Sequence, residues 1–399
     1  MQPNLIYLDY NATTPCDPAV VDSMLPWFYQ NPGNAASKSH PFGWKAKEAV
    51  DQARNQLASL LQVDDAEIVF TSGATESDNL ALKGVFEMYG RKGKHIITVK
   101  TEHKAVLDPA DHIEKRGGTV TYLNVNSQGL IDLNELENAI RPDTVLVSVM
   151  WANNETGVIQ PVKEIGAICD KHGVLFFSDA TQAVGKIPVH PRESGVHLLA
   201  CSAHKMYGPK GVGALYVRKR QPRVKVTAQL DGGGHENDMR SGTLNVPGIV
   251  GFGKAAELSA TLMDAEFQKL ESLRNHLETQ LCEKLEEVWV NGREAPRLAH
   301  TSNITFRAAD AEALINTFNQ QIAVSTGSAC SSASLEPSHV LLAMGVAEDK
   351  ARSTLRFSLG RFTTSTEIEQ VIEAVLKGVS KLRELSPLWM LFKEGVDLD

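Results

Sequence analysis

The sequence has few cysteines, and their arrangement indicates neither a disulfide framework nor a zinc site. They are odd in number and widely spaced, and no two of them form a Cys-x-x-Cys pair. A disulfide-stapled fold and a cysteine zinc site are therefore not expected. We predict reduced thiols that differ only in their surroundings, at Cys16, Cys169, Cys201, Cys282 and Cys330.

Long apolar runs, basic tracts and a leader-like N-terminus are also absent. No stretch is apolar for long enough to span a bilayer, and the first ten residues contain no basic or long apolar region. The formal net charge of −8 argues against direct binding of nucleic acid. We therefore expect a cytoplasmic or already processed protein, with no membrane and no direct nucleic-acid partner.

The composition is that of a globular protein, and its apolar pattern predicts an α/β fold. The chain has 399 residues, of which 42% are hydrophobic, enough for two or three lobes. Short apolar runs alternate with helical stretches from about residue 44 to 259, which indicates a sheet covered by helices on both faces. The predicted strands are 67–70, 95–99, 120–123, 145–149, 174–178, 198–201 and 213–217.

A long helical pattern follows Pro247 and continues to Leu285, and we place the domain boundary within it. The strand and helix patterns beyond it are typical of a smaller α+β domain. We predict a large domain at 16–261 and a small domain formed by 1–15 and 262–399.

Residues 70–80 follow a predicted strand and open a helix. The backbone N–H groups of the first helical turn and the Thr75 hydroxyl would suit a phosphate dianion. The same Ser, Thr and Gly residues also cap ordinary helices, so this motif alone leaves both interpretations open.

Two strand ends carry charged residues that suggest cofactor chemistry. Lys205 lies just beyond an apolar strand, where desolvation would lower its pKa and free the amine for a Schiff base. Asp179 ends another apolar strand, where a carboxylate is unfavourable unless a cation such as a protonated pyridine meets it. A solvated turn lysine and a helix-capping aspartate are the alternatives. Gln182, three residues after Asp179, would face the same ligand.

His103 and Asn154 also follow predicted strands, at what we expect to be the same carboxyl edge of the sheet. His103 would stack on an aromatic cofactor or relay protons, and Asn154 would bind a carboxylate. A hydrogen-bonded loop histidine and a turn-forming asparagine are the alternatives.

Cys330 lies within about residues 325–334, where small polar residues prevail and no helical or strand periodicity is present. Such a composition predicts an exposed loop, in which a thiol is able to react. Cysteines are more often buried and inert, and that interpretation fits Cys169, Cys201 and Cys282.

Together these segments resemble class V aminotransferase-fold enzymes that use pyridoxal 5′-phosphate, and specifically the bacterial-type cysteine desulfurases, IscS and NifS. The resemblance extends from residue 7 to residue 389. Its strongest motifs are residues 71–79, 101–104, 204–211, 232–236, 240–243 and 327–330.

The resemblance implies fold type I, with a mostly parallel central sheet in the large domain. It implies a Schiff base at Lys205, Asp179 on the pyridine nitrogen, His103 on the ring and Gln182 on the phenolic oxygen. The remaining cofactor contacts would come from Ala74, Thr75, Asn154, Ser202, Ala203 and His204, and from Thr243 of a second subunit.

It further implies that Arg356 and Asn154 bind the carboxylate of L-cysteine, although a surface ion pair is the alternative for this arginine. Lys205 would remove the Cα proton, and Cys330 would take the sulfur as a persulfide and leave alanine. A homodimer and a sulfur-acceptor protein, an iron–sulfur scaffold or a sulfur relay, are the implied partners. No resident metal is expected, although Cys330 would transiently ligate a nascent iron–sulfur cluster.

Two alternatives stay open. A selenocysteine lyase, or another class V lyase or transaminase, would share Lys205 and Asp179 without the same need for Cys330. A cofactor-free scaffold would keep the fold only to bind assembly proteins, and the presence of Lys205, Asp179, His103 and Cys330 together argues against it.

Overall fold

The computed structural model describes residues 5–326 and 336–395. Its strands are β1 (Ile6–Tyr7), β2 (Ile68–Thr71), β3 (His95–Val99), β4 (Thr119–Leu123), β5 (Thr144–Ser148), β6 (Leu175–Asp179), β7 (Leu198–Ser202), β8 (Gly213–Val217), β9 (Val288–Val290), β10 (Thr301–Phe306), β11 (Ile322–Ala323) and β12 (Thr354–Ser358). Its α-helices are α1 (Pro18–Met24), α2 (Pro26–Tyr29), α3 (Pro41–Leu61), α4 (Ala74–Tyr89), α5 (Lys104–Lys115), α6 (Leu133–Ala139), α7 (Val162–His172), α8 (Val246–Lys284), α9 (Ala311–Phe318), α10 (His339–Ala343), α11 (Glu348–Arg352), α12 (Ser365–Glu384) and α13 (Pro387–Lys393).

Within the described ranges, the main sheet has seven strands in the order β2-β8-β7-β6-β5-β3-β4. β8 runs antiparallel to both of its neighbours, and the other strands are parallel to one another. Every residue of β3, β5, β6, β7 and β8 is buried, as expected for a sheet with helices on both faces. The predicted fold class, with a mostly parallel central sheet, is confirmed.

A second, smaller core forms where the C-terminal part of the chain meets the first strand. β12, β10 and β9 form an antiparallel sheet, and β1 pairs in parallel with β11. Their apolar side chains pack with α8, α9 and α12 around residues such as Leu277, Phe306 and Phe357, and Ile6 and Leu8 join the same core. The division into a large domain at 16–261 and a small domain formed by 1–15 and 262–399 stays a prediction.

The N-terminal segment then crosses from this second core to the main sheet. Tyr10 N–H donates to the Ser358 carbonyl at 3.2 Å, and Thr14 N–H donates to the His204 carbonyl at 2.9 Å. Residues 10–14 therefore border the carboxyl edge of the main sheet. None of the helices within residues 5–326 and 336–395 combines the length and the apolar character that a membrane span requires.

Candidate active site

A cavity of about 580 Å³ opens at the carboxyl edge of the main sheet, where β3, β5, β6 and β7 end. Open α/β sheets bind ligands at this edge, and the volume suits a small cofactor with a substrate. A larger hollow of about 810 Å³ lies between α3 and α8, and none of the predicted site residues lines it. We therefore take the cavity at the sheet edge as the candidate active site.

Most of the predicted site residues come together on the wall of this cavity. Ala203 is fully buried behind the wall, and Thr243 is exposed outside the cavity. Cys330 lies outside the described residues. Among the predicted residues, those that line the cavity are Ala74, Thr75, His103, Asn154, Asp179, Gln182, Ser202, His204, Lys205 and Arg356.

Lys205 follows β7 directly and is held against the N-terminal segment. Its Nζ donates to the Asn11 carbonyl at 2.5 Å and to the Ala12 carbonyl at 2.8 Å. These carbonyls place the amine on the cavity wall rather than in solvent, so the alternative of a solvated turn lysine does not describe this residue.

Asp179 ends β6, and its side chain is nearly buried, with 8% of the residue exposed. Its Oδ1 accepts the Thr181 N–H at 2.9 Å. Within the described residues no helix follows β6 before β7, so the helix-capping alternative is wrong, although the carboxylate does accept a local backbone N–H in a turn. The same carboxylate borders the cavity, and its second oxygen, which accepts no hydrogen bond from the part of the chain that the structure describes, is suited to a cationic ligand.

The other end of the cavity is suited to an anion. α4 begins after Gly73 without a side-chain cap, and a Cβ built on Gly73 would stand in open space, so backbone borders the cavity here. Burial, and after it the positive charges of Lys205, Lys210 and Lys186, together lower the pKa of His204 to about 4. A helix N-terminus beside this concentration of positive charge would bind a phosphate group.

His103 begins α5, and its Nδ1 accepts the Ala105 N–H at 3.1 Å. In the neutral ring this contact places the proton on Nε2. The loop-histidine alternative and the predicted place beside a ligand are therefore compatible, because the same ring also lines the cavity.

Gln182 is oriented by contacts on both sides of its amide. Its Nε2 donates to the Asn11 carbonyl at 3.0 Å, and its Oε1 accepts from Lys186 Nζ at 2.9 Å. Since a carbonyl only accepts, the first contact fixes the nitrogen and the oxygen of the amide. Among residues 5–326 and 336–395 the second N–H has no partner, and Gln182 lines the cavity, so this N–H is available to a ligand.

Sequence reasoning missed three further features of the site, two on the cavity wall and one behind it. Asn11, Ala12 and Thr13 line the cavity, and the only signal for them was that the family resemblance begins at residue 7, with no role assigned to these residues. Asp78 lines it as a fully buried acid whose pKa burial raises, together with the charges of Asp179 and Glu102. No local pattern distinguishes such an acid from an exposed helical one.

Lys186 is the third of these residues, and it supports the wall from behind. Its Nζ lies 3.1 Å from His300 Nε2 and donates to Gln182. Burial, with the charges of Lys205 and Arg356, holds its pKa well below the ordinary lysine range. Within the described ranges, no group of three or more His, Cys, Asp or Glu side chains is placed to hold a metal ion.

Comparisons with known proteins agree with this geometry. The family Aminotransferase class-V matches residues 6–371. The cysteine desulfurase IscS of Anaeromyxobacter sp. (strain Fw109-5) is 56% identical over 393 residues, which covers 98% of this chain and 97% of the relative. The cysteine desulfurase IscS of Photorhabdus laumondii is 54% identical over 396 residues, or 99% and 97% of the two chains.

Solved structures are also similar to this chain. A NifS-like protein superposes with a TM-score of 0.88 at 36% identity and covers 94% of this chain and 100% of its own. SspA, solved in complex with cysteine, superposes with a TM-score of 0.79 at 36% identity, over 90% and 100% of the two chains.

The sheet and the residues around its cavity define a fold type I enzyme of the α/β class. Within that class, the chain belongs to the class-V aminotransferase family, in its IscS/NifS-like cysteine desulfurase branch.

Proposed function

We propose that the protein is a pyridoxal-phosphate-dependent cysteine desulfurase, which transfers the sulfur of L-cysteine to Cys330 and releases L-alanine. The observation that carries this proposal is that four residues line one and the same cavity: Lys205, Asp179, His103 and Arg356. The names of the relatives at 53–56% identity support it, as does the bound cysteine of SspA.

The chemistry of the cavity wall fits pyridoxal phosphate. The first turn of α4, with Thr75, Ser202 and His204, would hold the phosphate where positive charge is concentrated. The Asp179 carboxylate would pair with the pyridine nitrogen, and the Gln182 N–H with the phenolic oxygen. When bound, the cofactor supplies an electron sink for the substrate Cα.

Lys205 and Asp179 have complementary proton roles in this proposal. The Lys205 amine would hold the cofactor and would take the proton from the substrate Cα. The Asn11 and Ala12 carbonyls, which accept from Nζ at 2.5 and 2.8 Å, would orient the amine by hydrogen bonding. Asp179 keeps a proton on the pyridine nitrogen, so negative charge developing at Cα is stabilised.

Arg356 and Asn154 would orient the substrate through its carboxylate. The Arg356 guanidinium is 3% exposed and lines the cavity beside Asn154. In the transfer step the Cys330 thiolate would attack the substrate sulfur and form an S–S bond. The C–S bond would break with its electron pair left on the substrate fragment, which takes up protons and leaves as alanine. His103 Nε2–H is placed to exchange protons with groups in the cavity.

The residues flanking Cys330 support this role for its thiol. On one side, Ser325 exchanges backbone hydrogen bonds with Arg356, at 2.7 and 3.4 Å. On the other, Ser338 Oγ donates to Glu155 at 2.5 Å, and His339 Nε2 lies 2.9 Å from the Glu102 carbonyl. Both flanks therefore attach to elements that border the cavity.

The proposed partners are a second copy of the chain and a sulfur acceptor, within the cytoplasm. Exposed aromatic side chains include Trp44, on the wall of the hollow between α3 and α8, and also Phe28, Tyr29 and Phe42. An apolar patch of this kind is typical of a protein interface. Thr243 is exposed outside its own cavity, which fits a contact with the cofactor of a second subunit. The acceptor would be an iron–sulfur scaffold or a sulfur relay.

The function is tested by incubating the purified, cofactor-loaded protein with L-cysteine and a reducing thiol. We expect alanine and sulfide in equal amounts without any keto acid, because the amino group is not transferred. A requirement for a keto acid would indicate a transaminase. Turnover of selenocysteine with no turnover of cysteine would indicate a selenocysteine lyase.

Asp179→Asn is expected to weaken cofactor binding and to slow alanine release by about 10²-fold or more, because a neutral amide cannot stabilise a protonated pyridine nitrogen. Cofactor affinity is measured by fluorescence and alanine by amino-acid analysis. The control is Asp170→Asn, the same substitution at a half-exposed side chain on α7, which should change neither quantity. Parent-like binding and turnover in Asp179→Asn would reduce Asp179 to a local cap.

A further inference from the structure

One acidic side chain of the N-terminal segment forms an ion pair with the cavity arginine. Asp9 Oδ1 accepts from Arg356 Nη2 at 2.7 Å, and Arg356 Nη1 donates to the Asn154 carbonyl at 3.0 Å. The side chains are largely withdrawn from solvent, with 3% of Arg356 and 20% of Asp9 exposed. The protein therefore fixes the guanidinium from two sides.

The backbone around Asp9 is held by neighbouring strands. Leu8 N–H donates to the Ala323 carbonyl at 2.9 Å, and Asp9 forms a parallel bridge with Ser358. Ser358 lies on β12, two residues after Arg356. Asp9 and Arg356 consequently lie on adjacent hydrogen-bonded segments, and their ion pair is part of the sheet framework rather than a chance meeting of flexible side chains.

Arg356 keeps hydrogen-bonding capacity that the described residues do not use. Its buried Nε has no partner among residues 5–326 and 336–395. A guanidinium has five N–H donors in one plane, and the contacts with Asp9 and Asn154 use only part of them. A buried donor without an acceptor is unfavourable, so this arginine, on the wall of a cavity, is suited to an anionic ligand.

We propose that Asp9 is a positioning residue for Arg356, holding the guanidinium in the orientation in which its unused N–H groups meet the carboxylate of an amino-acid substrate. This inference rests on the proposed function, because it takes an amino acid as the ligand. Paired recognition of a carboxylate depends on the plane of the guanidinium, and a buried arginine without Asp9 would turn toward another acceptor. Asp9 would thus increase affinity for amino acids without touching them.

Two effects of Asp9 oppose each other, and their balance is measurable. Fixing Arg356 favours binding of the substrate carboxylate, whereas the negative charge of Asp9 disfavours it. Because the ion pair is short and shielded from solvent, we expect the fixed orientation to dominate.

The test compares two ligands of the cofactor-loaded protein, L-alanine and ethylamine, which is alanine without its carboxylate. Binding is followed by the change in the absorption spectrum of the cofactor, so turnover is not required. We expect Asp9→Ala to weaken L-alanine binding about tenfold, which corresponds to about 1.4 kcal/mol, and to leave ethylamine binding unchanged.

The matched control is Asp17→Ala. Asp17 lies in the same segment and accepts from Arg361 Nη1 at 2.6 Å, with 15% and 10% of the two side chains exposed, but neither residue lines the cavity. It should affect neither ligand. Asp9→Asn, which keeps an acceptor oxygen and the shape of the side chain, serves if Asp9→Ala does not fold, with a smaller loss expected for L-alanine alone.

Equal weakening of both ligands would contradict a positioning role and indicate a general effect of Asp9 on the fold. Tighter L-alanine binding would also overturn it, since the repulsion by Asp9 would then dominate. If the unsubstituted protein gives no spectral change with either ligand, the proposed function fails instead, and the two failures are distinguishable.

Discussion

Lys205→Ala is expected to lower alanine release from L-cysteine by about 10³-fold or more, the largest loss we expect from a change on the cavity wall. The variant loses both the amine that holds the cofactor and the base that takes the Cα proton. The variant should still fold, because the contacts that it loses, from Nζ to the Asn11 and Ala12 carbonyls at 2.5 and 2.8 Å, lie on the cavity wall. It should retain the cofactor through the phosphate contacts.

A covalent readout separates this role from a general effect on activity. Borohydride reduction of the loaded parent should fix the cofactor on the peptide that contains Lys205, as detected by mass spectrometry. Lys205→Ala should give no labelled peptide, and Lys210→Ala, in the same turn and also on the cavity wall, should keep the label at Lys205. Label on another lysine of the parent, or undiminished alanine release by Lys205→Ala, would contradict the assignment.

The main sheet was predictable because most of its strands are buried on both faces. Strands such as β6 and β7 are continuous apolar runs, and each ends in a polar residue at the ligand-binding edge. β1 and β9 span only two and three residues, too few to show a periodicity. β9 forms against the six-residue strand β10, whereas β1 pairs with β11, which is itself only two residues long.

The N-terminal part of the candidate site was not predictable from local pattern. Asn11 contacts Gln182, Lys205, His300 and Thr301, all of which are distant from it in the chain. Such contacts depend on topology, and the sequence around Asn11 indicates no chemistry by itself. The same holds for Lys186, whose pKa is lowered because the fold buries it beside Lys205.

Through these long-range contacts, the site is built from segments that are far apart in the sequence. Lys205 and Asp179 belong to the main sheet, whereas Arg356 belongs to the small antiparallel sheet. The N-terminal segment contacts both, through Asn11 and Asp9. A displacement of the small sheet would therefore move the proposed carboxylate-binding arginine relative to the cofactor-binding lysine, so affinity for the substrate depends on packing outside the cavity.

The four cysteines that the structure describes provide a contrast with Cys330. Burial raises the pKa of Cys16, Cys201 and Cys282, for Cys201 to about 12, and raises that of Cys169 further. The thiolate is the reactive form, so these four thiols are poorly suited to attack sulfur at neutral pH. Cys330, the proposed sulfur acceptor, lies outside the described residues.

Cys330→Ser is expected to eliminate the persulfide and to lower alanine release by about 10²-fold or more, since a hydroxyl is a far weaker nucleophile near neutral pH. Binding of L-cysteine should still change the spectrum of the cofactor, because that change depends on Lys205. Parent and variant are incubated with isotope-labelled cysteine, and mass spectrometry then measures one added sulfur on the peptide that contains Cys330. Cys16→Ser, a half-buried thiol with a raised pKa, is the matched control and should keep both label and turnover. Label on any of the other four cysteines instead, or full alanine release by Cys330→Ser, would remove Cys330 from the mechanism and favour a lyase that does not form a protein persulfide.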